Sequence, residues 1–480
     1  MLFRSGVASH ANSWLLTEVL REQWGFKGYV ISDANDVARL HYFMKVAKTP
    51  EKAVKLGLKA GVDVDLYADD AYALLPEMVE QNPGLEEYID RAVRRVLRTK
   101  FILGLFDDPF VDPKETKATT RNNQAVELAH KADMESIILL KNENQTLPLA
   151  PKKQKVALVG PSIGENTLEV FREILGNNVS FVAEKGFDLT NGEKGIPNLT
   201  TEEEMRKGIE RIIQKTRGAQ TILLFAGGDE YTAKEAYFNG AIGDRDNIDP
   251  VGLQDELIVR LKETGKPVIV ILKHKRTLSI NAFAKHADAI LDCWKLSEFG
   301  NKAIAKTVFG MNIPSGKLAV TVPRTIGQLP FHYSQKEINF KKGYLFSDIT
   351  PLFPFGYGLS YTTFEYTKPV LSDTLLNNEN GKITIQVNVE NTGKYKGKEV
   401  VQLYIKDKIG SVIRPIKELK GFKKVQLEPG ESTLVQFEIT PEMLEFTTID
   451  MKQKAENGDF VAMIGGSSDS LQTTEFKLEK

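Results

Sequence analysis

The spacing of apolar residues changes along this chain, and each change predicts a different kind of structure. In residues 1–113 helical and extended patterns alternate. Leu16, Val19 and Leu20 share one helical face, with Asn12 placed to cap the start and Gly25 to stop the helix. An extended run, Gly28–Ser32, follows. Pro50–Lys59 reads as a second helix ending at Gly61, and Val62–Leu66 alternates as a strand does. Leu85, Ile89, Val93, Val96 and Leu97 line a third helix that stops at Gly104. Two β-α units of a parallel fold are predicted, with Asp33, Asp63 and Asp65 at or near the strands' C-terminal ends, the edge where such folds bind ligands.

From 119 to 340 the alternation continues around longer buried runs. A helix through Ala125–Ala132 leads to Ser136–Leu140, and strands are expected at Val156–Val159, Val179–Val182, Thr221–Phe225, Val268–Leu272 and Ala289–Leu291, with helices such as Glu203–Lys215 and Asp255–Glu263 between them. That order predicts a mostly parallel sheet covered on both faces. Gly160-Pro-Ser-Ile-Gly164 follows a strand but is not the GxGxxG of a dinucleotide site. A Pro- and aromatic-rich connector occupies 341–364. Beyond it, in 365–480, the period becomes two: Ile383, Ile385, Val387 and Val389 alternate with polar residues, and further short strands at Leu403–Ile405, Val425–Leu427, Leu434–Ile439 and Phe460–Ile464 suit a fibronectin type III-like sandwich.

Composition narrows the function classes. With 63 basic against 64 acidic residues, no basic footprint points to nucleic acid. A single cysteine, Cys293, excludes a disulfide framework and a thiolate cluster, and the 6 histidines lack the pairing of a helical zinc site. No apolar run approaches the ~20 residues of a membrane-spanning helix. Met1–Trp14 lacks the apolar core of a signal peptide. An acid directly after an extended apolar run, as in Gly28-Tyr-Val-Ile-Ser-Asp33, is costly unless it is hydrogen-bonded, paired or used in chemistry. From the residues alone, an Asp33 that caps the next helix is the simpler account.

Four longer motifs change that balance. LREQWGFKGYVISD (Leu20–Asp33), RRVLRTKFILGLFDDP (Arg94–Pro109), PLFPFGYGLSY (Pro351–Tyr361) and RPIKELKGFKKVQLEPGE (Arg414–Glu431) together resemble glycoside hydrolase family three, in that order along the chain. The resemblance implies an α/β chain: the C-terminal remnant of a (β/α)8 barrel, an α/β sandwich domain and a fibronectin type III-like domain. It implies a retaining exo-acting β-glucosidase or β-xylosidase that releases terminal sugars from β-glycosides, with Asp33 as nucleophile and no cofactor. The acid/base would come from the loop ahead of Asp244-Arg245 and Gln254, with Glu235 first and Glu230 second. Arg276, His274 and Trp294 would contact substrate, and action would be periplasmic or secreted. Trp24 is expected to be core packing, and Tyr357 and Tyr361 to pack between domains.

The chain also departs from the family's pattern. Ala34 stands where many members carry an aromatic residue, so leaving-group preference does not carry over. A full barrel takes about 250 residues, whereas 113 precede the second domain. The expectation is therefore an N-terminally truncated chain that is inactive alone. A non-catalytic carbohydrate- or partner-binding scaffold is the alternative from another class, and a β-N-acetylglucosaminidase the alternative within the family.

Overall fold

The structure, a computed structural model, describes residues 6–66, 71–191, 198–233, 245–336, 343–377 and 381–479. The chain divides into two compact units, Met1–Asn122 and Asn123–Lys480.

In the first unit a wide, π-type helix runs Trp14–Gln23, and the Asn12 carboxamide oxygen accepts from Leu15 N (3.2 Å) at its start. Helices α1 (Asp36–Tyr42), α2 (Pro50–Ala60) and α3 (Glu86–Ile102) follow. Helix α2 is bounded as its sequence predicts. Thr49 caps it, Pro50 begins it, and Gly61 ends it at φ 114°, a left-handed value that favours glycine. The two expected strands shrink to one parallel bridge, Ile31 to Val64. Around it Ser32 N donates to Val64 O (2.9 Å) and Val64 N to Val30 O (3.1 Å). Two segments without further pairing in the unit form no longer ladder, so a barrel remnant is not established here.

The expected packing of α3 also differs. Leu85 is buried ahead of it, but Val93 and Leu97 are exposed. The helix turns Ala92, Arg91 and Arg95 inward instead, leaving Arg94 and Arg98 exposed. Arg95 Nη1 and Arg21 Nη2 each donate to the Asp63 carboxylate (both 2.8 Å), while Arg91 Nη2 donates to Leu58 O (2.8 Å). Asp63 is buried and also accepts from Val30 N (2.9 Å). An ionised group in a small core must be paired, and that requirement outweighs the hydrophobic stripe in setting the helix's rotation. Trp24, expected in the core, is 72% exposed. It follows the helix end, where the unit has no apolar layer to receive it.

The second unit holds the predicted sheet. Its strands are β1 (Ile138–Asn142), β2 (Gln154–Val159), β3 (Val179–Glu184), β4 (Thr221–Gly227), β5 (Val268–Lys273) and β6 (Ala289–Asp292). Their order is β1-β6-β5-β4-β2-β3; all neighbours are parallel except β1 with β6. Side chains alternate between two apolar cores, one per face. Ile222, Leu224, Val268 and Val270 enter one, and Leu223, Phe225, Ile269 and Ile271 the other. Strand order reverses between β2 and β4, and crevices at such a reversal are where open α/β sheets bind ligands.

The sandwich, in the same unit, pairs Ile383–Asn391 with Ser432–Ile439 in one sheet, and Gly397–Asp407 with Glu418–Leu427 and Gly458–Gly465 in the other. These strands outrun the apolar alternation that predicted them, because backbone pairing continues past the buried positions. Asn391 is fully buried and bonds Tyr395 O, Leu427 O and Thr362 Oγ1. Glu135, on the helix Asn123–Ser136 before β1, accepts from Lys398 and Lys424 and ties sandwich to α/β layers. Tyr361 Oη donates to Thr307 O (2.8 Å), and Tyr357 Oη to Leu140 O (3.3 Å), the packing role expected of both. No helix among the described residues is long and apolar enough to cross a membrane.

Replacing Asp63 by alanine would leave two guanidinium groups facing a vacated partner. Asp63→Ala should cost the first unit about 3–5 kcal/mol, measured by urea unfolding with hydrogen exchange reporting on α2 and α3. A change under about 1 kcal/mol would show that solvent already satisfies both arginines.

Candidate functional site

Three acids stand near the ends of the Ile31–Val64 bridge, and their surroundings separate them. Asp63 is consumed by Arg21 and Arg95. Asp65 accepts from Ser32 Oγ (2.9 Å) through one oxygen and from Tyr72 N (3.2 Å) through the other. Ser32 Oγ accepts in turn from Leu66 N (3.1 Å), so the segment carrying Asp33 is fastened on its inner side. Asp33 itself is exposed, and among the described residues its carboxylate accepts only from the next backbone amide, Ala34 N (2.7 Å). It does not cap α1. Asn35, at φ 59°, holds the N-cap position, and its side chain makes no capping bond. The structure thus leaves Asp33 a free carboxylate on a braced turn, a state that suits attack on an electrophile.

In the second unit the other candidates gather at the C-terminal edge of the sheet. Strand β4 ends at Gly227, with φ 128°, where a Cβ would lie 2.0 Å from Lys273 O. The fully buried Gln254 accepts from Gly227 N (2.8 Å) and donates to Gly227 O and Val251 O (2.8 Å each). Gln254, a landmark of the sequence pattern, is therefore a structural clasp. Beyond Gly227, Asp229 and Thr232 bond each other's backbone amides, and the exposed Glu230 lies 3.5 Å from Lys275 Nζ. Glu235 and Asp244 lie outside the described residues. Arg245 donates to Asn247 Oδ1 (3.0 Å) and to Asp249 O. Burial and, after it, the positive charge of Arg276 lower its pKa.

His274 is arranged differently from a substrate contact. Its ring is buried; Nδ1 lies 2.6 Å from Arg276 O and Nε2 lies 2.7 Å from Asp292 Oδ1. The carbonyl only accepts, so Nδ1 donates to it and Nε2 faces the buried carboxylate. Both nitrogens being engaged, His274 fixes the backbone that presents Arg276. The same Asp292 oxygen accepts from Trp294 N (3.3 Å). Trp294 adopts φ 44°, a strained value for a bulky residue, and its half-buried ring stands 4.4 Å from that of His274. Trp294 and His274 line a cavity of about 400 Å³ with Lys273, Lys275, Lys295 and Glu298.

Asp255 was not singled out from the sequence. Part of it reaches solvent, yet local burial and the Asp249 carboxylate push its pKa up to about 6. Nothing in the residue string marks it, since the shift arises from packing at the start of the helix Gln254–Lys262. No cluster of three or more metal-binding side chains occurs among the described residues.

Comparisons with known proteins bear on both units. Residues 5–99 match the glycosyl hydrolase family 3 N-terminal domain, 137–361 its C-terminal domain, and 399–468 a fibronectin type III-like domain. A putative beta-xylosidase of Formosa agariphila is 57% identical over 99% of this chain and 63% of its own length. A beta-xylosidase of the same organism is 37% identical over 99% of this chain and 68% of its own length. A solved β-glucosidase structure from Erythrobacter marinus superposes with a TM-score of 0.93 at 39% identity, covering 99% of this chain and 66% of that one. The chain belongs to glycosyl hydrolase family 3. It thus spans about two thirds of the length of these relatives, and the alignments lend no support to the expectation that it is an inactive truncation.

Two measurements check this geometry. His274→Ala and Asp292→Ala should each cost about 3 kcal/mol, since each strands a buried partner, and the double variant should cost clearly less than the sum in chemical denaturation; strict additivity would show the pair to be uncoupled. For Asp255, the folded carboxyl holds its proton to about 6, whereas the unfolded one releases it near 3.8. The folded state therefore binds more protons in that window, and stability should fall as pH rises through it. Asp255→Asn should remove that slope, and an unchanged slope would assign it to another group.

Proposed function

We propose that this protein is a retaining exo-β-glycosidase acting on terminal, non-reducing glucose or xylose. The observation that carries the reading is the free, braced carboxylate of Asp33 in a chain of this family, beside two acids already committed to structure. In such a reaction Asp33 attacks the anomeric carbon to form a glycosyl-enzyme, while a carboxylic acid protonates the departing oxygen and then activates water as base. Retention requires the two carboxyl groups to approach to about 5–5.5 Å. We assign the acid/base to Glu235, with Glu230 as the second candidate. Arg276 and Trp294 are proposed to contact the substrate and His274 to hold Arg276 in place. An ionised and a protonated carboxyl suffice for this chemistry, so no cofactor is invoked. The proposed setting is the periplasm or the medium, where oligosaccharides and other β-glycosides are met.

Asp33→Asn should lower hydrolysis of 4-nitrophenyl β-xyloside and β-glucoside by about three orders of magnitude or more, with the fold intact by circular dichroism. Proton NMR of the first-formed sugar from the unaltered protein should show the β-anomer. Full activity in Asp33→Asn, first release of the α-anomer, or no hydrolysis of either glycoside by the unaltered protein would overturn the reading.

A further inference from the structure

The cavity beside Trp294 carries more positive charge than a neutral sugar requires. Lys273, at the last position of β5, has its stem packed inside, and among the described residues its ammonium has no hydrogen-bond or ion-pair partner. Burial lowers its pKa, the mark of a cation whose lost hydration has not been replaced. Among the described residues Lys275, which lines the same cavity, reaches only the exposed Glu230, at 3.5 Å, and Lys295 lines it from the next loop without a partner. Against these three cations stands Glu298 on the lining, because Asp292 is taken up by His274 and Trp294 N. The excess charge faces an indole fixed in a strained backbone conformation. An unpaired, partly desolvated ammonium is costly, and an anion entering the cavity would remove that cost.

We propose that this cavity binds an anionic sugar residue, its ring against Trp294 and its carboxylate or sulfate group on Lys273 and Lys275. The residue bound there would be an acidic unit of the glycan, which deepens the glycosidase reading and rests on it only in taking the ligand to be a sugar. Carboxylate and sulfate share the chemistry the lysines recognise, a compact oxyanion held by point charges. Binding should weaken with added salt, as pairing at a partly open site does.

The test is direct titration of the unaltered chain, by calorimetry at low salt, with D-glucuronate, glucose 6-sulfate, D-glucose, D-xylose and inorganic sulfate. At least one of the two charged sugars should bind tenfold or more tightly than either neutral sugar, and which of them does so identifies the acidic group. Lys273→Met should weaken that binding at least tenfold. Lys275→Glu, a change at the open rim that leaves the interior packing alone, should weaken it as well. Trp294→Ala should weaken the charged sugar more than inorganic sulfate. Equal affinity for neutral and charged sugars, binding of inorganic sulfate alone, retained affinity in Lys275→Glu, or no binding at all would overturn the proposal. Binding is read without turnover, so a failure here leaves the Asp33 experiment untouched, and loss of hydrolysis leaves this one readable.

Discussion

Polar groups at the ends of buried extended segments must be paired, and that constraint organises both units. Two arginines answer Asp63, and in doing so they set the rotation of α3. Gln254 answers both backbone groups of Gly227, and Asp292 answers His274 and Trp294 N. Each is a case in which leaving the group unpaired would cost more than any single apolar contact contributes. The chemistry proposed for the protein uses what is left over once those obligations are met among the described residues: Asp33 with one local bond, Glu230 on an exposed turn, and Lys273 with none.

The fold was legible where one period dominates. In the α/β region the five strands expected from the sequence fall within two residues of their predicted limits, since long apolar runs between helices have few other solutions. The sandwich was legible in kind but short in extent. Ile383–Val389 showed its alternation plainly, whereas Gly397–Asp407 is held by backbone ladders on both sides and needs no strict alternation. In residues 1–113 the reading was weakest. Helix ends marked by Pro50 and Gly61 were right, but the apolar stripe of α3 is only partly covered, with Val93 and Leu97 exposed while Arg95 reaches an acid 32 positions away. Trp24 failed for a related reason, a large aromatic residue being presumed to have a core to enter.

The candidate site was legible through motif and not through periodicity. Asp33 and Gln254 stood out by their place in longer patterns, but the sequence had no means to say that one carboxylate is free and the other side chain is a clasp. His274 stands in the run Lys273-His274-Lys275-Arg276 and was expected, through the family resemblance alone, to contact substrate. Its burial against Asp292 depends on two strand ends being neighbours, a fact of sheet order. Lys273 was passed over within the same run, since a lysine at a strand end is ordinarily solvated and its isolation becomes visible only once the strands around it are in place.

The Gln254 clasp has one more consequence. By joining the residue at which the chain leaves β4 to the residue at which it begins the next helix, it closes the intervening stretch at its base. The entropy of bringing those ends together rises only slowly with the number of residues between them. Changes in chain length between those two anchor points therefore add little to the cost of closure, while the amide at the root of the stretch stays as it is.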